Sequence, residues 1–209
     1  MSHKVLLVEG VNDQHVVWHL CEAHKLPECF AVEEMGGKEP LLESLYGYFR
    51  RDPLAYPTVG ILLDADESPE SAWYAVTNRL RDEGYSVPSR LDAGGLVLDH
   101  PTGDGPRVGV WLMPDNSLPG KVEDFVRLLI PAGDELAVET DGALKVIEDK
   151  NVQRYAAKDR PKAFIHTWLA WQDEPGKPMG TAITKRYLDP NSTQATKFVA
   201  WLRQLFLEE

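Results

Sequence analysis

Cysteine is scarce: Cys21 and Cys29 stand alone, in no Cys-x-x-Cys spacing. A disulfide framework and a thiolate zinc cluster are therefore excluded as what holds the fold together. Both thiols are expected to be reduced and in the core, as suits a cytoplasmic protein. No run of about 18 apolar residues occurs, and no basic, apolar and small-residue leader precedes the first apolar run, so a soluble chain without a membrane partner is expected. There is no Gly-x-x-x-x-Gly-Lys-Ser/Thr loop and hence no P-loop ATPase in this chain. His15 and His19 lie one helical turn apart but have no intervening glutamate and no third ligand at finger-like spacing, which argues against zinc. Positive charge is also short: 22 Lys and Arg against 33 Asp and Glu leave a net −11, which excludes a protein that coats nucleic acid by charge alone.

The charge that is present is unevenly placed. Residues 150–209 hold 10 basic and 6 acidic residues, a net +4, whereas residues 1–149 hold 12 and 27, a net −15. An acidic head that could bind metal precedes a mildly basic tail, which could hold a polyanion or be a solvated helical face. At 209 residues one domain with a full core is expected over 1–209. Its first half alternates strands (3–9, 29–34, 58–63) with helices (12–25 with Asn12 as N-cap, 39–51, and one to about 83 that starts at Ser68-Pro69). Such alternation implies an α/β fold with a mainly parallel central sheet. Between 95–99 and 107–113 the six-residue Pro-Thr-Gly-Asp-Gly-Pro is too short for a helical crossover, so these strands are expected to add a β-hairpin. Helices over 122–130, 134–149, 161–172 and 193–206 follow. The last three make up a helical extension over about 131–209.

Two strands stop at acids, Val5-Leu6-Leu7-Val8-Glu9-Gly10 and Gly60-Ile61-Leu62-Leu63-Asp64-Ala65-Asp66, and the carboxyl ends of open α/β sheets are where ligands gather. If the strands are neighbours, Glu9, Asp64 and Asp66 converge. Carboxylates that close need a counter-charge, most simply one or two hard divalent cations, Mg²⁺ or Mn²⁺. Each acid also has an ordinary use. Glu9 could accept backbone N–H groups, Asp66 or Ser68 could cap a helix, and Asp13 falls in a first helical turn, where a carboxylate is favoured. Asp115 ends a third apolar strand and Glu123 opens a helix, so either could extend the cluster toward a second metal. Lys38 and Lys162 are candidates to neutralise charge developing on phosphate. His166, Trp168, Trp171 and Trp201 are expected to pack in the core or at an interface rather than to stack bases.

These motifs resemble the Toprim domain, shared by topoisomerases, primases, recombination proteins and the overcoming-lysogenisation-defect (OLD) nucleases. It is marked by a first-strand Glu followed by Gly and by a later strand ending Asp-x-Asp. Val8-Glu9-Gly10-Val11-Asn12-Asp13 is similar to the OLD-nuclease version, with an Asp four residues after the Glu, and Gly36-Gly37-Lys38 falls where such proteins turn after the second strand. The likeness covers about residues 4–130. With Trp111-Leu112-Met113-Pro114-Asp115-Asn116 and Val122-Glu123-Asp124-Phe125, it is nearest to small stand-alone Toprim-like proteins. The resemblance implies a Toprim-like Rossmannoid core, Glu9 as general acid/base or metal ligand, and Asp13 as a further metal ligand.

The expected activity is Mg²⁺- or Mn²⁺-dependent phosphodiester hydrolysis on DNA or RNA, with Glu9, Lys38 and Lys162 catalytic and Asp13, Asp64, Asp66, Asp115 and Glu123 on metal. The alternative is a non-catalytic metal- or nucleotide-binding module that acts through a protein partner such as a separate ATPase. A homodimer through the aromatic helix is a further expectation.

Overall fold

The apolar runs at the two acidic strand ends suit strands covered on both faces. In the computed structural model, which describes residues 3–50 and 55–208, β1 (Val5–Val8) and β3 (Thr58–Asp64) are buried along their whole length. With β2 (Ala31–Glu34), β4 (Leu96–Leu98) and β5 (Arg107–Met113) they form one five-stranded sheet in the order β2-β1-β3-β5-β4. The β1, β2, β3 and β5 strands run parallel, and β4 pairs antiparallel with β5 as the expected hairpin. The chain leaves β1 for β2 on one side and returns to β3 on the other. The carboxyl ends of β1 and β3 therefore flank a topological switch point, where such sheets open a crevice.

Strand alternation sends side chains to two cores. Val5, Leu7, Ile61 and Val110 pack against α2 (Lys38–Phe49) and α3 (Pro69–Asp82). On the other face, Leu6, Val8, Leu62 and Trp111 pack against α1 (Val11–Ala23), α4 (Val122–Arg127), α6 (Arg160–Ala170), α7 (Met179–Thr184) and α8 (Thr193–Phe206). The remaining helix, α5 (Glu135–Asp149), lies against α6. Gly60 and Gly109 sit where α8 crosses the sheet, and a Cβ at Gly109 would stand 2.5 Å from Leu205 Cδ2. This close approach is what glycine permits there.

Several local expectations are corrected. Gly10, not Asn12, is the N-cap of α1, because Asp13 at the third helical position folds back and accepts the Gly10 N–H at 3.2 Å. The α2 helix starts at Lys38 and ends at Phe49; Arg51, its expected end, lies outside the described residues. Ser68 does cap α3, its hydroxyl accepting the Ser71 N–H at 3.1 Å. The α7 helix was not foreseen. Cys29 is exposed rather than in the core; His166 is exposed and Trp171 half exposed, which leaves the interface alternative for both, whereas Trp168 and Trp201 are buried in the core. No helix among the described residues is long and apolar enough to cross a membrane.

Candidate active site

The parallel register of β1 and β3 sets Val8 beside Leu62, so the residues that follow each strand meet. Glu9 Oε1 accepts the Asp64 N–H at 2.8 Å. The Gly36-Gly37 turn hooks onto the same strand end. Met35 N–H donates to the Val8 carbonyl at 3.0 Å, and Gly37 N–H to the Glu9 carbonyl at 2.8 Å. Gly36 and Gly37 have φ of 79° and 122°, left-handed values that glycine adopts without strain. That turn delivers Lys38, whose Nζ donates to the Asp64 carbonyl at 2.9 Å and to Asp66 Oδ2 at 2.7 Å.

Asp64 is 8 % exposed, and its Oδ1 accepts the N–H of Val122, the first residue of α4, at 3.0 Å. Glu123, the next residue, is 6 % exposed and Asp13 5 %. Glu9, Asp13, Asp64 and Glu123 line one cleft of about 490 Å³, together with Lys121 and the exposed Lys158 and Lys162. The structure thus brings together four of the acids singled out in the sequence, and one of the two lysines.

Crowding is visible in the proton affinities. Burial, and then the charges of Asp13 and Glu9, push the Asp64 carboxyl up to about 9. Burial and the Glu9 charge push Asp13 up to about 7. Burial also raises Glu9, against the pull of the Asp64 N–H. Desolvation disfavours each anion, and the neighbouring anions add to it.

Asp66 stands apart. The strand ends at Asp64, and Asp66 adopts φ 53°, pinned by a two-way backbone bridge. Its N–H donates to the Gly120 carbonyl at 2.9 Å and its carbonyl accepts the Gly120 N–H at 2.7 Å. Its carboxylate therefore leaves the cleft face and joins Lys38 and, at 3.1 Å, Lys121 Nζ. Burial works against the anion, but the two ammonium groups outweigh it and hold Asp66 below the usual carboxylate range. Lys38 and Asp66 line a neighbouring cavity of about 840 Å³ instead. Asp115 is in neither cavity. Its Oδ1 accepts the N–H groups of Ser117 and Leu118 at 3.0 and 2.8 Å and the Ser117 hydroxyl at 2.9 Å, the turn-forming use of an aspartate.

Whether these residues suit a divalent cation turns on their chemistry. Among the described residues no three His, Cys, Asp or Glu side chains already stand in a metal-ligating arrangement. Yet Glu123 is a buried carboxylate for which no hydrogen bond or ion pair is found among the described residues. In Glu9, Asp13 and Asp64 one oxygen is held by a backbone N–H. An all-oxygen set of this kind, short of counter-charge, is what hard cations take. Lys121 and Lys158 were missed in the sequence. The only signal was the excess of basic residues in the tail, and for Lys121 the preceding Pro119-Gly120 turn.

The family model of a protein of unknown function (DUF3226) matches residues 3–207. No curated protein and no solved structure matches the chain.

Proposed function

The chain belongs to this family of unknown function, DUF3226, so its chemistry has to be read from its own site, and we propose a Mg²⁺- or Mn²⁺-dependent phosphodiesterase acting on nucleic acid. The observation that carries the reading is the meeting of Glu9, Asp13, Asp64 and Glu123 at the carboxyl ends of β1 and β3, with Lys121, Lys158 and Lys162 lining the same cleft. Acids that repel one another call for a cation, and lysines beside them call for an anion; a metal-bridged phosphate answers both. The Toprim-like order of Glu9-Gly10 and Asp64-Ala65-Asp66 supports the same class.

Asp13, Asp64 and Glu123 are the residues that would hold the ion, with Glu9 beside them. Bound there, it would polarise a phosphoryl oxygen and lower the pKa of a water. Glu9 keeps one oxygen on the Asp64 N–H, and its raised proton affinity fits the second to receive the proton of an attacking water. Lys158 and Lys162 would hold the phosphates of the incoming chain. Lys38 lies outside the acidic cleft and takes no part in the reacting centre there: its ammonium holds the Asp64 carbonyl, which fixes the strand end, and pairs with Asp66 in the neighbouring cavity. The two free thiols support a reducing, cytoplasmic setting.

The test is a calorimetric titration of Mn²⁺ into wild type and Asp64→Asn, with plasmid nicking followed on the same samples. Loss of metal binding and of nicking together is expected. Nicking that survives in Asp64→Asn, or an absence of specific Mn²⁺ binding to wild type, overturns the reading.

A further inference from the structure

The larger cavity beside the acidic cleft has a different character. Lys38, Lys121 and Lys158 line it, as do Ser68 and Ser71 at the start of α3. Lys121, Lys158 and Pro161 line both cavities, so the two adjoin across one shared wall. Three ammonium groups and the amino end of a 14-residue helix share the second cavity with the carboxyl groups of Asp66, Glu67 and Asp124, and an anion is favoured where the ammonium groups of Lys38 and Lys121 meet. One of the three carboxylates already occupies that place. The Asp66 carboxylate spans the lysine pair, 2.7 Å from Lys38 Nζ and 3.1 Å from Lys121 Nζ, with its side chain 38 % exposed. The backbone that presents it is held at φ 53° by the Gly120 bridge, so its position is built in rather than a chance surface contact.

We propose that Asp66 is an internal stand-in for phosphate: a backbone phosphate of the polynucleotide whose neighbouring linkage enters the acidic cleft takes over the Lys38 and Lys121 ammonium groups and displaces the carboxylate. This deepens the nucleic-acid reading above and rests on it. It assigns Asp66 to anion competition, in place of the metal ligation expected from Asp64-Ala65-Asp66. The consequence is selectivity. A single isolated phosphate must compete with a tethered carboxylate, whereas a chain anchored at Lys158 and Lys162 presents its next phosphate at high local concentration.

Asp66→Asn separates the two roles, because asparagine also accepts a left-handed backbone and keeps the side chain's size. Binding of a short single-stranded oligothymidylate is measured without metal by fluorescence anisotropy, and Mn²⁺ binding by calorimetry, for wild type, Asp66→Asn, Asp66→Asn/Lys121→Gln and Asp64→Asn. Asp66→Asn is expected to bind the oligonucleotide about tenfold more tightly, the scale of one charge-assisted hydrogen bond, and to keep its Mn²⁺ affinity. Adding Lys121→Gln should abolish the gain. Unchanged or weaker oligonucleotide binding by Asp66→Asn overturns the proposal, as does a gain that survives Lys121→Gln. A loss of Mn²⁺ affinity in Asp66→Asn as large as that in Asp64→Asn also overturns it and returns Asp66 to the metal. Failure of the phosphodiesterase reading would look different: no specific Mn²⁺ binding by any variant, whatever the oligonucleotide does.

Discussion

Glu9 Oε1 accepts the backbone N–H of Asp64 at 2.8 Å across two neighbouring parallel strands. The contact ties the position of one acid to the backbone of the other, so the two cannot be perturbed as independent groups. Glu9→Gln keeps an oxygen for that N–H while removing the charge. Nicking is expected to fall about 10²- to 10⁴-fold, the range of a lost general base. The melting temperature of the metal-free protein should hold or rise, since Asp13 and Asp64 lose a repelling neighbour. A variant that nicks at the wild-type rate removes Glu9 from the chemistry.

Asp64→Asn retains Oδ1 for the Val122 N–H and removes the need to protonate on folding a carboxyl that is pushed up to about 9. A stabilisation of about 1–2 kcal/mol at neutral pH is expected in the metal-free protein, read from urea denaturation. A destabilised variant would mean that the carboxylate is structural.

The pH dependence has a definite sign. Asp13 and Asp64 move from an ordinary 3.8 up to about 7 and about 9 on folding, so the folded state binds more protons than the unfolded one. The stability they give is full below the unfolded value and drains as pH rises through 7 and then 9. The metal-free protein should melt at a higher temperature near about pH 6 than near about pH 9, and saturating Mn²⁺ should remove most of that difference. A melting temperature that is flat or rises over this window contradicts the crowding of the acids.

Lys158→Gln and Lys162→Gln are each expected to weaken oligonucleotide binding. Each should also reduce the slope of log affinity against log salt by about 0.7, one phosphate contact on a single strand. If the slope is unchanged in both, the basic tail is a solvated face.

Gly109→Ala places a methyl 2.5 Å from Leu205 Cδ2 and should cost about 1–3 kcal/mol by overpacking. Gly142→Ala, in α5 with open space around it, should gain about 0.5–1 kcal/mol. Urea denaturation of the two variants checks both, and equal effects would mean that α8 can shift freely over the sheet.

What the sequence disclosed follows the range of the physics that sets each feature. Apolar runs ending in Glu9 and Asp64 are local signals, and they placed β1, β3 and the heart of the cleft. The hairpin was legible because six residues cannot carry a crossover. A strand continuing past Asp64 would turn Asp66 to the same face as Asp64, but the strand ends at Asp64. The bridge to Gly120 that ends it comes from more than 50 residues away, and no local pattern announces it. Asp115 was drawn in by its place after β5, but its hydrogen bonds to Ser117 and Leu118 are a local turn that two following polar residues, Asn116 and Ser117, could have suggested. The α7 helix is short and lies in a stretch rich in Gly and Pro. It is packed against α1, where a Cβ on Gly180 would meet the His15 carbonyl at 2.7 Å, so tertiary contact specifies it rather than propensity.

The seat of α8 on Gly60 and Gly109 also bears on how the molecule is made. Synthesis runs from the amino end, so β1 and β3 leave the ribosome well before α8. Until it arrives, the face carrying Leu6, Leu62 and Trp111 lacks the cover of Leu205 and Phe206, and Lys4 lacks the Phe206 carbonyl that its ammonium finds at 2.6 Å. The sheet that positions the acids is therefore closed late. A nascent chain stalled before residue 193 would expose an apolar surface to chaperones and to its own neighbours on the polysome.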